Sequence, residues 1–270
     1  MSDSQGTRGE RARAGGASPP PLGPDAALFL DIDGTLADFA PEPHEVRIDA
    51  GFRDSLLRLA DRLGGALALI TGRTVADADR LFPNGRLPLA GQHGCERRDA
   101  TGRLHLRAPP LAPSSRVRDR LRGIATRVDG VWLEDKGATL ALHYRGAPTM
   151  GPYVHRAVKT VLATTGADAY VVESGKMLVE LRPGGCDKGQ AIREFMCEAP
   201  FRGRRPVFLG DDASDEHGFT VVEELAGWSI KVGQGASLAR YRLPGIVAVH
   251  AWVCALAPAA ATGAKAAASR

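Results

Sequence analysis

The chain has 270 residues, of which 44% are hydrophobic, which is enough to bury a substantial core and a smaller second unit. Its formal net charge is +4, but only 6% of the residues are aromatic, whereas nucleic-acid-binding surfaces interleave basic residues with aromatic stacking platforms. We therefore expect no nucleic-acid partner. The four cysteines have no paired ligand spacing, which favours reduced, non-catalytic thiols and a cytoplasmic location: Cys95, Cys186, Cys197 and Cys254.

The two ends of the chain differ in composition from the rest. Residues 1–25 are rich in Gly, Pro, Ser and Arg and contain no apolar run, so they predict a disordered tail rather than a signal peptide or a membrane span. Residues 258–270 are rich in alanine and predict a flexible tail. Neither end suggests contact with a membrane.

Residues 28–36 form the most informative segment, LFLDIDGTL, in which an apolar strand ends in two carboxylates and a glycine. In an open α/β sheet the ligand crevice lies beyond the carboxyl ends of the strands, so Asp31 and Asp33 are predicted at that edge. Asp31 suits a carboxylate nucleophile that forms an aspartyl-phosphate, and Asp33 suits a general acid and base. Gly34 allows a tight turn that leaves amide hydrogens facing phosphate oxygens.

Three later segments supply groups that such a site needs, because a carboxylate that attacks a phosphate dianion requires a divalent cation and fixed positive charge. Residues 66–70 predict a strand that ends at Thr71 and Gly72, which suit phosphate contacts. Lys188 begins a helical segment, where an ammonium group and free amide hydrogens meet an anion together. Residues 206–209 lead into acids that need a cation: Asp211, Asp212 and Asp215.

Each of these carboxylates alone could be a helix cap or belong to a solvated turn. Four segments in series favour the phosphoryl-transfer site, and in this order they resemble the signature motifs of the haloacid dehalogenase superfamily of phosphatases. The resemblance implies that Asp31 is the nucleophile and that Asp33 is the general acid and base, with a backbone carbonyl that binds Mg²⁺. It also implies phosphate binding by Thr71 and Gly72, charge balance of Asp31 by Lys188, metal ligation by Asp31 and Asp211, and auxiliary acids at Asp212 and Asp215.

Strands and helices alternate along the chain, which predicts an α/β fold with a doubly wound parallel sheet and an inserted, smaller α/β cap domain. Residues 26–105 and 183–257 are predicted to form the discontinuous haloacid-dehalogenase-like hydrolase core. Residues 106–182 are too many for a simple crossover, and their pattern predicts helix, two strands, helix and two strands, with the last turn at residues 174–176. Such a cap closes over the phosphate site and contacts the organic part of the substrate.

Short motifs in and around this insert resemble those of the trehalose-6-phosphate phosphatase family, over about residues 26–256. They begin at Gly91 (GQHG), Glu134 (EDKG), His143 (HYR), Ser174 (SGKM), Glu180 (ELRP) and Gly210 (GDDASDE). The family implies magnesium-dependent hydrolysis of trehalose 6-phosphate, the last step of trehalose biosynthesis. It implies a substrate site formed by His93, Glu134, Lys136, Arg145, Ser174, Lys176 and Glu180.

A sugar substrate also has a physical basis in the insert. A disaccharide offers many hydroxyls and little apolar surface, so charged residues on a rigid sheet suit its recognition. Glu134, Lys136, Lys176 and Glu180 provide such charges. The alternative is that Glu134 and Lys136 are exposed turn residues and that Lys176 merely pairs with Glu180 on the surface.

Three further residues have two interpretations each. A lone histidine is usually structural, but the place of His93 in the family motif implies a sugar contact. Arg73 could form a salt bridge at a helix N-terminus or belong to the site. Arg145 could be a strand-edge charge or a substrate-site residue.

Other functions stay open at this point. A related capped phosphatase could act on sucrose phosphate, a mannosyl phosphoglycerate or a smaller sugar phosphate. A catalytically silent sugar-phosphate-binding protein is the alternative from another class, and the joint presence of Asp31, Asp33, Lys188 and Asp211 argues against it. The sequence does not determine whether a synthase binds the protein.

Overall fold

Two β-sheets organise the protein, and the computed structural model describes residues 17–40, 43–83, 87–107, 113–167 and 169–257. The strands are β1 (Ala26–Leu30), β2 (Leu67–Ile70), β3 (Leu89–Gly91), β4 (Glu96–Arg98), β5 (Leu104–Leu106), β6 (Trp132–Asp135), β7 (Leu140–His143), β8 (Tyr170–Gly175), β9 (Leu178–Pro183), β10 (Arg205–Gly210), β11 (Trp228–Val232) and β12 (Tyr241–Leu243). The α-helices are α1 (Ala50–Arg62), α2 (Val75–Leu81), α3 (Ser115–Ala125), α4 (Gly151–Thr165), α5 (Lys188–Met196), α6 (Asp215–Glu224) and α7 (Ile246–Leu256). Short 3-10 helices lie at Pro43–Glu45, Gln92–Gly94 and Pro148–Met150.

The large sheet has eight strands in the order β12-β11-β10-β1-β2-β3-β4-β5. All neighbours from β12 to β3 are parallel. The chain steps from β1 to β2 in one direction and from β10 to β11 in the other, so right-handed crossovers place their helices on opposite faces of the sheet. Accordingly, α1 packs against α7, and α5 packs against α6. The prediction of a doubly wound α/β fold is confirmed.

Local sequence explains why α1 forms where it does. Asp49 caps the helix by accepting a hydrogen bond from the Phe52 N–H at 3.0 Å. The apolar spacing of Phe52, Leu56 and Leu59 places these side chains on one buried face. The chain leaves the helix through Gly64, whose φ of 61° suits glycine. The predicted helix between the first two strands is therefore present.

The four-stranded sheet belongs to the insert, by which we mean residues 115–183. Its order is β6-β7-β9-β8, and all its neighbours are antiparallel. The helices α3 and α4 cover one face, where an apolar cluster separate from that of the large sheet includes Val117, Leu142, Val158 and Leu181. The predicted order of helix, two strands, helix and two strands is confirmed.

Two strands at the edge of the large sheet are absent from the sequence-based prediction. β4 pairs antiparallel with β3, and β5 pairs antiparallel with β4, so the sheet is mixed at this edge rather than wholly parallel. β4 has the sequence ERR, which lacks an apolar strand pattern. Arg97 and Arg98 are nevertheless buried, because they pair with Glu194 at 3.2 Å and with Asp79 at 2.7 Å. These partners are distant in sequence, so no local pattern predicts the strand.

The last turn of the insert also differs from its prediction. β8 continues through Ser174 to Gly175, which pairs with Leu178, and the turn is formed by Lys176 and Met177. Met177, the second of these two residues, has a φ of 64°, the positive value that the second central position of a type II turn requires. The glycine that suggested a turn therefore lies in the strand instead.

The described part of the predicted N-terminal tail contacts the large sheet. The Arg242 N–H donates to the Ala17 carbonyl at 3.1 Å, and Leu22 is buried in the core. These described residues therefore pack on the sheet. The remaining residues of the two predicted tails, 1–16 and 258–270, lie outside the described ranges. Within those ranges, no helix combines the length and the apolar character that crossing a bilayer requires.

We expect Phe29→Ala to lower the free energy of unfolding by about 3–5 kcal/mol, because it removes a fully buried ring from the core. The ring stacks on Phe201 at a centroid distance of 5.4 Å and contacts Phe195 at 6.0 Å. Urea unfolding followed by circular dichroism measures the loss. Val247→Ala, at a side chain that is 85% exposed, is the control and should change the free energy by less than about 0.5 kcal/mol. Equal losses of unfolding free energy in the two variants would contradict the conclusion that the Phe29 ring stabilises the core.

Candidate active site

The polar residues of the large sheet gather where its strand order reverses. β1 lies between β10 and β2, and all three strands are parallel. Asp31, Asp211 and Thr71 directly follow these strands. An open α/β sheet binds its ligands at such a switch point, outside the carboxyl ends of the strands. Three motifs that are far apart in sequence therefore meet at one edge.

Lys188 connects two of the carboxylates. It is the first residue of α5, which Asp187 caps by accepting from the Gln190 N–H at 2.8 Å. Its Nζ lies 2.9 Å from Asp31 Oδ1 and 2.7 Å from Asp215 Oδ1, and its side chain is only 3% exposed. Burial opposes the charge, but attraction to Asp215 and Asp31 raises the pKa of Lys188 well above its usual value. The ammonium group therefore stays charged beside Asp31.

The acids at this edge carry more negative charge than Lys188 balances. Burial raises the pKa of Asp31 well above its usual value, and Asp215 and Asp211 add to the rise while Lys188 opposes it. Burial and Asp215 likewise raise the pKa of Asp211 to about 6. Asp31, Asp211 and Asp215 each offer a carboxylate oxygen, and these oxygens lie within 4.8 Å of one another. Such a set of oxygen donors suits a divalent cation.

Asp211 gives independent support for a cation. Its Oδ1 is buried and has no hydrogen-bond partner among the described residues, and its Oδ2 lies 3.3 Å from Lys176 Nζ. An unsatisfied buried carboxylate oxygen is costly, and a metal ion would satisfy it. Gly34, with a φ of 86°, allows the close approach, because a Cβ there would lie 2.2 Å from Asp211 Oδ2. The residues present therefore fit a divalent metal ion.

Asp215 also holds the loop after β10 in place. Its Oδ2 accepts hydrogen bonds from the N–H groups of Asp211 and Asp212 at 2.9 Å each, and its side chain is fully buried. Gly210 leaves room for it, because a Cβ there would lie 2.2 Å from Asp215 Cγ. Asp212 accepts from the Ser214 N–H at 2.6 Å and lines the cleft. The two acids proposed as auxiliary residues thus shape the loop that carries Asp211.

The side chain of Asp33 is held by Arg73. Nε donates to Asp33 Oδ2 and Nη2 donates to Oδ1, both at 2.7 Å. Arg73 is 8% exposed. Burial alone would lower its pKa, but the hydrogen bonds and the charge of Asp33 raise it. Of the two interpretations of Arg73, the structure therefore favours a residue of the site, and its signal in the sequence is its position directly after Thr71 and Gly72.

Thr71 and Gly72 form the wall of the cleft next to Arg73. Thr71 is 1% exposed, and its Oγ1 accepts from the Arg73 N–H at 3.2 Å. The Gly72 carbonyl accepts from Lys136 Nζ at 3.0 Å, which joins the large sheet to the insert. A Cβ at Gly72 would lie 2.8 Å from His93 Nε2, so glycine permits this approach.

The strand register of the insert brings its carboxylates into one row. Glu134 pairs with Ala141, Ala141 pairs with Glu180, and Glu180 pairs with Glu173. Residues that are directly opposite each other in antiparallel strands point to the same face. All three glutamates therefore lie on the face opposite α3 and α4, and all three line the cleft.

Glu180 is the centre of a buried charge network. Its Oε2 lies 2.5 Å from His93 Nε2, and its Oε1 accepts from Lys136 Nζ at 3.0 Å. Burial alone would raise the pKa of Glu180, but Lys136 and His93 hold it well below its usual range. Burial opposes the charge of Lys136, while Glu180 and Glu134 raise its pKa. Only 10% of the Lys136 side chain is exposed, so Lys136 is not the exposed turn residue of the alternative interpretation.

His143 was not among the predicted site residues, although it begins one of the motifs. Its Nε2 lies 2.8 Å from Glu134 Oε2, and its ring stacks on Trp132 at a centroid distance of 3.9 Å. Burial would raise the pKa of Glu134, but the hydrogen bond with His143 and the charge of Lys136 lower it. The histidine and the indole ring together fix the position of the Glu134 carboxylate.

Phe39, which is not among the predicted site residues, lies at the mouth of the cleft. Lys176 Nζ lies 4.3 Å from the centre of its ring, and the Arg145 guanidinium lies 5.5 Å from it. Arg145 also donates to the Ala40 carbonyl at 2.7 Å. Lys176 thus contacts Phe39 and Asp211, not Glu180 as the surface alternative has it. No sequence pattern marks Phe39, because its role depends on two side chains from the insert.

Ser174 is the predicted substrate residue least connected with the others. It follows Glu173 in β8, so its side chain points to the opposite face of the sheet. Its Oγ lies 3.5 Å from His155 Nδ1 of α4. Ser174 still borders the cleft, but the structure does not bring its hydroxyl into the row of glutamates.

The cleft between the large sheet and the insert has a volume of about 150 Å³. Ligand-binding pockets usually have about 300–1,000 Å³. In this structure the insert therefore lies close to the edge of the large sheet, and the cleft between them has less room than a phosphorylated disaccharide needs. The insert would have to move away from the sheet edge before such a ligand could enter the cleft.

Comparison with known proteins agrees with this geometry. A family model described as trehalose-phosphatase matches residues 29–245. The chain belongs to the trehalose-phosphatase family. It is 43% identical over 237 residues to the trehalose-6-phosphate phosphatase of Escherichia coli (strain K12), with 87% of each chain covered. The family resemblance inferred from the motifs is confirmed.

Solved structures agree with the fold. The C-terminal domain of the trehalose-6-phosphate phosphatase of Candida albicans superposes with a TM-score of 0.77 at 21% identity, covering 86% of this chain and 92% of that one. A phosphatase of the haloalkanoate (HAD) enzyme superfamily from Bacteroides thetaiotaomicron gives a TM-score of 0.58 at 13% identity, covering 83% and 91%. At these identities the comparison supports the haloacid-dehalogenase-like fold alone.

We expect Glu180→Gln to destabilise the protein by about 3 kcal/mol at neutral pH, because it leaves buried positive charge uncompensated. The folded-state pKa of Glu180 lies below its usual value of 4.5, so its contribution is fully present above that value and is lost as the pH falls below it. Urea unfolding of wild type and variant between pH 7 and pH 4 measures the difference.

The control for this experiment is Glu224→Gln, which removes an exposed pair with Arg193 and should cost less than about 1 kcal/mol. A Glu180→Gln effect that stays constant down to pH 4 would contradict the assigned pKa direction.

Proposed function

We propose that the protein is a magnesium-dependent phosphatase that hydrolyses trehalose 6-phosphate to trehalose and phosphate. The observation that carries this proposal is the meeting of two groups of residues at one cleft. The large sheet provides Asp31 with Lys188, and the insert provides a row of carboxylates with Lys136. The first set suits phosphoryl transfer, and the second suits a ligand rich in hydroxyls. The similarity to trehalose-phosphatases supports the same substrate.

In the proposed first step, a carboxylate oxygen of Asp31 attacks the phosphorus in line with the bond to the sugar oxygen. The bond from phosphorus to that oxygen breaks, and Asp33 gives the departing sugar oxygen a proton. Lys188, Thr71 and the backbone at Gly72 hold the phosphoryl oxygens. The product of this step is an aspartyl-phosphate on Asp31.

In the proposed second step, Asp33 takes a proton from a water molecule, which attacks the phosphorus of the aspartyl-phosphate. The bond from phosphorus to the Asp31 oxygen breaks, which releases phosphate and restores the carboxylate. Arg73 positions Asp33 in both steps, because its two 2.7 Å hydrogen bonds fix the orientation of that carboxyl group.

Magnesium is the cation that we propose for the acid cluster. Asp31, Asp211 and the backbone carbonyl of Asp33 would hold it, close to Asp215. When bound, it would withdraw charge from the phosphoryl oxygens and reduce their repulsion of the attacking carboxylate. The buried, unpartnered Oδ1 of Asp211 supports this assignment.

The insert is proposed to act as the cap that recognises the sugar. Glu134, Glu180 and Lys136 would bind sugar hydroxyls, since hydrogen bonds to charged groups are the stronger class. His93 contributes a ring whose Nδ1 is buried and has no partner among the described residues. Arg145 and Lys176, with Ser174 nearby, would contact the substrate at the mouth of the cleft.

We also propose the division of the chain that this mechanism requires. Residues 26–105 and 183–257 would form the hydrolase core, and residues 106–182 would form a cap that closes over the substrate and excludes water. The cysteines of the described region are all unpaired, which supports action in the reducing cytoplasm.

The experiment that tests the function measures phosphate release in the presence of Mg²⁺ from trehalose 6-phosphate, sucrose 6-phosphate and glucose 6-phosphate. We expect selective release from trehalose 6-phosphate. We expect Asp31→Asn to reduce this rate to background, because the amide lacks the nucleophilic charge.

Circular dichroism and a melting curve of Asp31→Asn serve as the folding control. Phosphate release from sucrose 6-phosphate at an equal or higher rate would contradict the assignment of trehalose 6-phosphate as the substrate. Saturable binding without any release by the folded wild type would indicate the silent binding protein instead.

We expect added Mg²⁺ to raise the melting temperature of the wild type but not of Asp211→Asn. Binding at a hundredfold excess over Kd would contribute about 2.7 kcal/mol, or roughly 5–10 °C for a chain of this size. Asp54→Asn, at an exposed position of α1, is the matched control and should keep the shift. An equal shift in Asp211→Asn would exclude Asp211 as a ligand.

A further inference from the structure

A second cavity lies beside the proposed active site, on the large-sheet side. It has a volume of about 270 Å³. Its charged and titratable lining consists of four arginines, one histidine and one aspartate: Arg47, Arg53, Arg73, Arg80, His44 and Asp77. The proposed catalytic steps use only Arg73 from this set. The excess of arginines makes the cavity strongly positive.

Two of these arginines are fixed in place without being neutralised. Arg53 Nη1 donates to the Ile48 carbonyl at 2.8 Å, and Arg47 Nη1 donates to the carbonyls of His44 and Val46 at 2.6 and 2.9 Å. Carbonyl groups orient a guanidinium but leave its charge uncompensated. Among the described residues, no carboxylate lies within 4 Å of the nitrogens of Arg47 or Arg53, whereas Arg80 pairs with Asp77. Within the described residues, Arg47 and Arg53 are therefore preoriented cationic donors without a carboxylate partner.

Arg73 forms the wall between the two cavities. It lines both of them, as do Val46 and Asp77. Its guanidinium is buried and holds the carboxylate of Asp33. An anion in the second cavity would therefore add negative charge close to the group that positions the proposed general acid.

The rest of the lining limits the kind of anion. Val46, Ile48 and Leu81 supply the apolar part. In the part of the chain that the structure describes, no Phe, Tyr or Trp side chain lines the cavity, so these residues offer no stacking platform for a base. Guanidinium groups match the oxygen spacing of phosphate and bind it through paired, charge-assisted hydrogen bonds.

We propose that this cavity is a second anion site, distinct from the catalytic one, and that it binds inorganic phosphate. Arg47 and Arg53 are its principal donors, and Arg73 connects it to Asp33. Inorganic phosphate, a product of the proposed reaction, would thus bind at a site where it does not compete directly with the substrate. The proposal concerns binding alone and does not depend on which sugar phosphate the catalytic site accepts.

The test counts bound phosphate by equilibrium dialysis with radiolabelled inorganic phosphate, on the full-length protein at constant ionic strength. We expect the wild type to bind two phosphates per chain and the R47Q/R53Q double variant to bind one. R116Q, which removes one exposed arginine from the insert, is the control and should bind two. A parallel arm with glucose 6-phosphate distinguishes free phosphate from a sugar-linked phosphoryl group, and binding of the sugar phosphate at the second site in preference to phosphate would overturn the assigned ligand.

The melting temperature and the hydrolysis rate without added phosphate show whether the variants are folded. If the double variant does not fold, R47Q alone provides the test, because Arg47 is exposed and its loss should weaken the second site at least tenfold. A single bound phosphate that the R47Q/R53Q variant loses would count against binding at the catalytic site and not at the second one. A single bound phosphate that this variant retains would overturn the proposal. So would an equal loss of binding in R116Q, which would indicate unspecific attraction of phosphate to exposed arginines.

Discussion

The ammonium group of Lys188 lies between Asp31 and Asp215, with 3% of its side chain exposed. The other parts of the site depend on this contact, because it compensates buried carboxylates at the junction of the central strands. Asp215 in turn holds the backbone of Asp211, so one charge network fixes both the candidate nucleophile and the loop of the candidate metal ligand. Removing one member of a buried pair typically costs about 3–5 kcal/mol, since the remaining charge is left without a partner. Charge balance, more than apolar packing, therefore determines the arrangement at this edge.

Polar contacts also join the insert to the large sheet. His93 and Gly72 come from the large sheet, and they meet Glu180 and Lys136 of the insert. In the described ranges the apolar clusters of the two units are separate, so no continuous hydrophobic core joins them there. Units joined in this way are expected to move relative to each other. An opening of the insert would break these polar contacts but leave both apolar clusters intact, which is the movement that a phosphorylated disaccharide would need to enter the cleft.

Arg73 gives the site a connection beyond the cleft. Its guanidinium holds Asp33 on one side and borders the arginine-lined cavity on the other. A charge placed in that cavity would act on Arg73 over a short distance within a region of low dielectric, where electrostatic effects are strong. An anion in the second cavity would therefore act on the position of Asp33 through Arg73.

The sequence by itself determined the elements whose signals are local. The apolar run before Asp31, the helix that begins at Lys188 and the order of elements in the insert all follow from short-range patterns of hydrophobicity and turns. Tertiary structure alone decided the features that depend on partners far along the chain. β4 contains the buried pair Arg97 and Arg98, whose carboxylate partners no local pattern indicates. The row of glutamates likewise depends on strand register, and the position of Phe39 depends on cations of the insert. A sequence pattern records what each segment prefers, whereas burial of charge and cross-strand pairing arise only when distant segments meet.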